Sequence, residues 1–148
     1  METSPRSWIV DGYNVLRVSL SPPGAESWWC EERRAVLCTL ASQLPYPSEA
    51  ITLVFDAKHL TEPQVQPAAE GTRARVRQVY APSADEWILK ALKQRRDLER
   101  TVVVTGDRPL ADRARHRGAE IMPTDAFVAL CGGAPERRHE PPTPDSRR

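Results

Sequence analysis

Thr101-Val102-Val103-Val104-Thr105-Gly106-Asp107-Arg108-Pro109-Leu110-Ala111-Asp112-Arg113-Ala114 decides the fold, because its two halves follow different periods. The first half is an unbroken β-branched run, the pattern of a strand buried on both faces, and it ends in Gly106-Asp107. The second half places Pro109 in the first turn of a helix running from Leu110 to Arg117, with Gly118 as its stop. A strand that passes through a short acidic turn into a helix is the building unit of a layered α/β protein.

The same unit recurs on either side. Strand-like runs lie at about 7–11, 51–56, 75–80, 101–105 and 119–122, so a mainly parallel sheet of about five strands is expected. Between the first two, Trp29, Val36, Leu37, Leu40, Ala41 and Leu44 keep a helical spacing until Pro45 and Pro47 end it. Ser83-Ala84-Asp85-Glu86 opens another helix as a capping box, followed by the apolar stripe of Trp87, Ile88, Leu89, Ala91 and Leu92. Thr124 or Asp125 is the expected cap of a last short helix reaching Leu130. Residues 57–74 carry no long apolar period and are punctuated by Pro63, Pro67 and Gly71, which predicts an extended excursion outside the core. Residues 1–131 are expected to form one domain, and residues 132–148, with nothing to bury, a disordered tail.

Composition narrows the function classes. The net charge of +1 argues against a uniformly polyanion-seeking surface, yet arginines cluster at 73–77, at 95–96 and along 108–117. Cys30, Cys38 and Cys131 make neither a CxxC pair nor a disulfide framework, and they fit small buried hydrophobes in a reducing compartment. With no apolar run of membrane-spanning length and no signal-peptide pattern in residues 1–7, a cytoplasmic location without a membrane partner is expected.

The chemistry lies in where the acids fall. Asp11 ends Ser7-Trp8-Ile9-Val10, Asp56 ends Ile51-Thr52-Leu53-Val54-Phe55, and Asp107 follows the run quoted first. In an open parallel sheet, ligands gather beyond the carboxyl ends of the strands, so these three share the functional edge, and the helix starts at Ser83 and Pro109 can bring Asp85, Glu86 and Asp112 toward it. An oxygen-rich set without His or Cys suits Mg²⁺ or Mn²⁺ better than Zn²⁺. It also suits metal-assisted phosphodiester hydrolysis. Each acid has a plainer use: Asp85 and Glu86 as dipole or capping-box residues, Asp107 as a cap or turn residue, Asp112 as a solvated partner of Arg115 or His116, Asp56 as a turn or supporting group. Asn14 can form a local turn or hold Asp11 by its amide.

Asp11-Gly12-Tyr13-Asn14-Val15, Leu53-Val54-Phe55-Asp56, Ser83-Ala84-Asp85-Glu86-Trp87-Ile88 and Val103 to Ala114, in that order, resemble the YacP-like NYN domains, relatives of PIN-type and flap-type nucleases, over about residues 7–131. The resemblance implies a PIN-like three-layer α/β/α sandwich and a Mg²⁺- or Mn²⁺-dependent endoribonuclease. It assigns catalytic and metal-site roles to Asp11, Asp85, Asp107 and Asp112, and supporting roles to Asn14 and Glu86. Thr105-Gly106-Asp107 departs from the serine or asparagine that many relatives carry before the acid, so a side-chain contact to the ligand is expected to be missing there.

Arg73, Arg75 and Arg77 alternate along a strand and therefore share a face, which together with Lys58 and with Arg108 beside Asp107 is the expected RNA-binding surface. The same arginines also serve as a solvated edge that resists aggregation. RNA is the expected partner, whether mRNA, rRNA or tRNA, with the ribosome as a potential one and a monomer or weak homodimer as the oligomeric state. A non-cleaving RNA- or ribosome-binding module on the same fold is the competing reading. A phosphotransferase of the haloacid dehalogenase type is excluded by Tyr13, which stands where that chemistry needs a second aspartate. A dinucleotide-binding domain is excluded by the lack of glycines around Asp11-Gly12-Tyr13-Asn14.

Overall fold

In the computed structural model, which describes residues 5–20, 30–46, 49–66 and 75–133, the chain runs β1 (Ser7–Asp11), α1 (Gly12–Ser19), α2 (Glu31–Ala41), β2 (Ala50–Asp56), β3 (Gln64–Gln66), β4 (Arg75–Ala81), α3 (Ala84–Lys93), a 3₁₀ turn (Leu98–Arg100), β5 (Thr101–Val104), α4 (Arg108–His116), β6 (Glu120–Met122) and α5 (Thr124–Leu130). The strands form one six-stranded sheet in the order β3-β4-β2-β1-β5-β6, parallel except for β3. Strand alternation sends Trp8, Val10, Leu53, Phe55, Val102 and Val104 to a core shared with α1, α2 and α5, and Ile9, Val54, Val79 and Val103 to a second core with α3 and α4. The result is a three-layer α/β/α sandwich. Both faces are covered, which is why β1, β2 and β5 read as continuous apolar runs.

Two elements differ from expectation. The sheet has six strands rather than about five, because β3 sits in the segment read as an excursion; all three of its residues are exposed, and pairing with β4 rather than any apolar period makes it a strand. Helix α1 follows Asp11 directly, where no helix was expected. Gly12, Tyr13 and Asn14 are weak helix formers, and the buried Val15 and Leu16 supply the stability instead. Gly12 is required there: a Cβ on it would lie 2.4 Å from the Phe55 ring. Neither Thr124 nor Asp125 caps α5, whose N-cap is Pro123; both bond the Ser19 hydroxyl instead and tie α5 to α1. Trp29, Pro47, residues 67–74 and the tail from 134 onward lie outside the described residues.

Sheet order fixes where a ligand can enter. The chain leaves β1 toward β2 on one side, and later returns to its other side through β5. Asp11 therefore ends the strand at which the winding reverses, the place where open α/β sheets leave a crevice.

Candidate active site

Asp11 is buried, 6% exposed, at the carboxyl end of β1. The register pairs Val10 with Val104, so the next residues, Asp11 and Thr105, stand side by side, and the Thr105 hydroxyl donates to Asp11 Oδ2 at 2.9 Å. That hydroxyl also accepts from the Asp107 backbone N–H at 3.0 Å. Asn14, buried on α1, accepts the Gly106 N–H on its Oδ1 at 2.6 Å and pins the same loop from the other side.

Asp107 is the N-cap of α4 and accepts from the Leu110 N–H at 3.2 Å. Asp56 accepts from the Ala84 N–H at 2.8 Å, while Ser83 accepts from the Glu86 N–H at 3.2 Å. Two first-turn amides of α3 are thereby satisfied, which fixes the turn bearing Asp85. Asp11, Asn14, Asp56, Asp85 and Asp107 line one hollow of about 350 Å³, together with Tyr13, Arg17 and Lys58.

The electrostatics are those of crowded anions. The Asp11 carboxyl is raised from 3.8 to about 7, chiefly by burial; the Thr105 hydrogen bond opposes the shift, and Asp85, Asp56 and Asp107 add repulsion. The Asp85 carboxyl is also raised, first by partial burial and then by Asp107 and Asp56, with Arg113 pulling the other way. Among the described residues none of these four carboxylates makes an ion pair. Nor are any three acidic, histidine or cysteine side chains among them drawn together closely enough to grip an ion as they stand. The donors are nonetheless all hard oxygens, and Asp85 is exposed, so side-chain rotation is open to it.

The model of the YacP-like NYN domain matches residues 8–140. The chain belongs to that family. Two solved structures share the fold: Rae1 (YacP) from Bacillus subtilis, 24% identical with a TM-score of 0.59 over 88% of this chain and 74% of that one, and its W164L mutant, 23% identical with a TM-score of 0.60 over 86% and 75%. No curated protein matches the chain. The fold is PIN-like, as the resemblance implied.

Within this NYN domain the sequence-predicted residues divide. Asp11, Asn14, Asp56, Asp85, Asp107 and Lys58 meet at the hollow. Glu86 is exposed and absent from its lining. Asp112 is likewise absent: it is exposed and pairs with Arg115 at 3.1 Å, one turn past the cap and facing solvent. Arg75 and Arg77 do share a face, but they line a groove with Ser7, Ala50 and Arg95 at the amino ends of the strands, so the expectation that they form one surface with Lys58 is corrected. Arg77 donates to the Thr52 hydroxyl at 3.0 Å. From Arg75 to the end of β4 is about 20 Å of strand. Arg108 lines a separate groove with Gly106, Arg115 and Asp125. Arg73 lies outside the described residues.

Two residues of the site, Thr105 and Arg17, receive no role in it from the sequence. Thr105 stands out only within Thr105-Gly106-Asp107 as a departure from the family pattern; its hold on Asp11 comes from strand register. Arg17 belongs to no motif and reaches the hollow because it follows Asn14 by one turn of α1.

Proposed function

We propose that this NYN domain is an endoribonuclease that hydrolyses RNA phosphodiester bonds with Mg²⁺ or Mn²⁺, held by Asp11, Asp85 and Asp107. The observation that carries the reading is a buried aspartate at the sheet's switch point, raised to about 7, facing three further carboxylates with no ion pair to any of them among the described residues. Such a group of anions is costly unless a cation or protons compensate it. A divalent ion, when bound, supplies Lewis-acid activation of water and of the scissile phosphate.

The protein's own groups do the positioning. Thr105 holds Asp11 by Oδ2, so Oδ1 is the oxygen that would be offered to an ion. Asn14 and Thr105 together fix the backbone between β5 and α4, and so the root of Asp107. Asp56 holds the first turn of α3, and so the root of Asp85. Arg17 and Lys58 on the rim are the cations that would meet the flanking phosphates. Asp112, paired with Arg115, is left out of the machinery.

A non-cleaving RNA- or ribosome-binding module stays as the second reading, favoured by the lack of three already gathered ligands among the described residues. One experiment separates the two: incubation of single-stranded RNA with the purified protein and Mn²⁺, with and without ribosomes, beside Asp11→Asn. Cleavage by the parent alone supports the nuclease. Equal background from both proteins, with RNA binding that needs no divalent ion, supports the binding module.

A further inference from the structure

The acidic hollow adjoins a second one of about 490 Å³, and Tyr13 and Asp56 belong to the walls of both. Its lining is of another kind: Gln64, Gln66, Gln78, Tyr80, His59 and Arg34. Sheet register assembles it. In the β3–β4 pair Gln64 stands opposite Tyr80 and Gln66 opposite Gln78, and directly opposed residues project from the same face. Three carboxamides and a phenol are thus gathered on one side of the sheet edge, under the first turns of α2 that bring Glu31 and Arg34.

Two tyrosines, Tyr13 and Tyr80, belong to the wall and rest on the buried Phe55 ring. Tyr13, Phe55 and Tyr80 form a row with centroids 5.0 and 5.5 Å apart, and the Arg34 guanidinium lies 5.7 Å from the Tyr80 centroid while donating to the Tyr13 hydroxyl at 2.9 Å. The Tyr80 hydroxyl donates to Gln78 Oε1 at 2.9 Å, which sets that amide's orientation. Gln64 and Gln66 are exposed and contribute nothing to the core.

We propose that this second hollow takes an unpaired nucleobase of the RNA strand whose phosphate lies at the acids, an inference that rests on the ribonuclease reading. Amides offer a donor and an acceptor together and so can match the edge of a base, while aromatic and guanidinium planes offer stacking. Glu31 and Asp56 in the wall disfavour a second phosphate but not a neutral base. The volume falls within the range of ordinary small-ligand sites. The rim cations Arg17 and Lys58 serve the backbone, and the amide-lined hollow reads what the backbone carries.

The test measures binding by fluorescence anisotropy, using the full chain carrying Asp11→Asn with Mn²⁺ present. The probes are short rA, rC, rG and rU oligomers and the same oligomers with one abasic residue walked along them. One base type should bind about tenfold more tightly than the poorest. A single abasic position should remove that advantage, and Gln64→Ala with Gln66→Ala should remove it while leaving abasic affinity unchanged. Equal binding of all four oligomers and of their abasic forms overturns the subsite; should the double variant fold poorly, the abasic walk decides without it. Base preference in binding without Mn²⁺-dependent cleavage by the parent protein removes the nuclease and keeps the subsite. Cleavage without base preference does the reverse.

Discussion

At the carboxyl ends of β1 and β2 stand Asp11 and Asp56, joined by Asp85 and Asp107 in one hollow; at the amino ends of the same sheet Arg75 and Arg77 line a groove with Arg95. A net charge of +1 therefore averages two regions of opposite character. The acidic end repels a phosphodiester until its charge is compensated, while the basic end attracts one at any metal concentration. Chemistry and attraction are thus separable: substitutions at one end should change turnover, and substitutions at the other should change binding.

The largest expected effect is on the acidic side. Asp11→Asn should lower Mn²⁺-dependent RNA cleavage by about a hundredfold or more, measured with saturating RNA. Stability should move the other way as pH rises. The native Asp11 carboxyl is raised to about 7 against 3.8, so its contribution in metal-free protein is fully present below the lower value and is lost as pH climbs through the upper one. The loss is on the order of a few kcal/mol. Urea unfolding in chelator at both ends of that window should show Asp11→Asn gaining on the parent as pH rises; a parallel response of both proteins would mean that Asp11 is compensated by something else.

Thr105→Ala tests the link between Asp11 and Asp107. It removes a bond that lowers the Asp11 pKa and one that fixes the Asp107 backbone, and about a tenfold loss of cleavage is expected with the fold retained by circular dichroism. On the basic side, Arg75→Ala with Arg77→Ala should leave turnover at saturating RNA unchanged. It should weaken RNA binding and make the log-log salt dependence shallower by about 0.7 for each phosphate that is no longer neutralised. A turnover defect there would break the division between the two ends. The smallest effect belongs to Asp112→Asn, which should leave cleavage intact and cost no more than about 0.5 kcal/mol in urea unfolding, since its pair with Arg115 is exposed.

Asp107 and Asp112 show how far local pattern reaches. Both follow β5 in an apolar–acidic–helical sequence, and by pattern alone either can turn toward the edge. Asp107 is held at the hollow because, as the N-cap, it precedes the first helical turn; Asp112 lies a turn further along α4, where the exposed face points outward. Ser83 caps α3 as its sequence predicts, for a local reason: its side chain accepts from Glu86 three residues on. Arg75 and Arg77 share one face, as their alternation predicts, but they lie at the other end of the sheet from the one expected. Which end of a strand a residue occupies relative to Lys58 depends on the direction and register of β4 against β2, a pairing across 25 residues from Ala50 to Arg75.

Most strands, the helices with strong caps or stripes, and the acids that follow the strands were legible from the chain alone, because apolar periods, caps and acidic turns act over a few residues; the family was legible as a resemblance carried by the order of four motifs. Only the tertiary structure decided that Asp11 meets Thr105, that Asn14 holds Gly106, that α1 forms at all, and that three glutamines gather beside Tyr80. Those outcomes depend on strand order and register, which couple residues far apart in the chain through burial and sheet pairing.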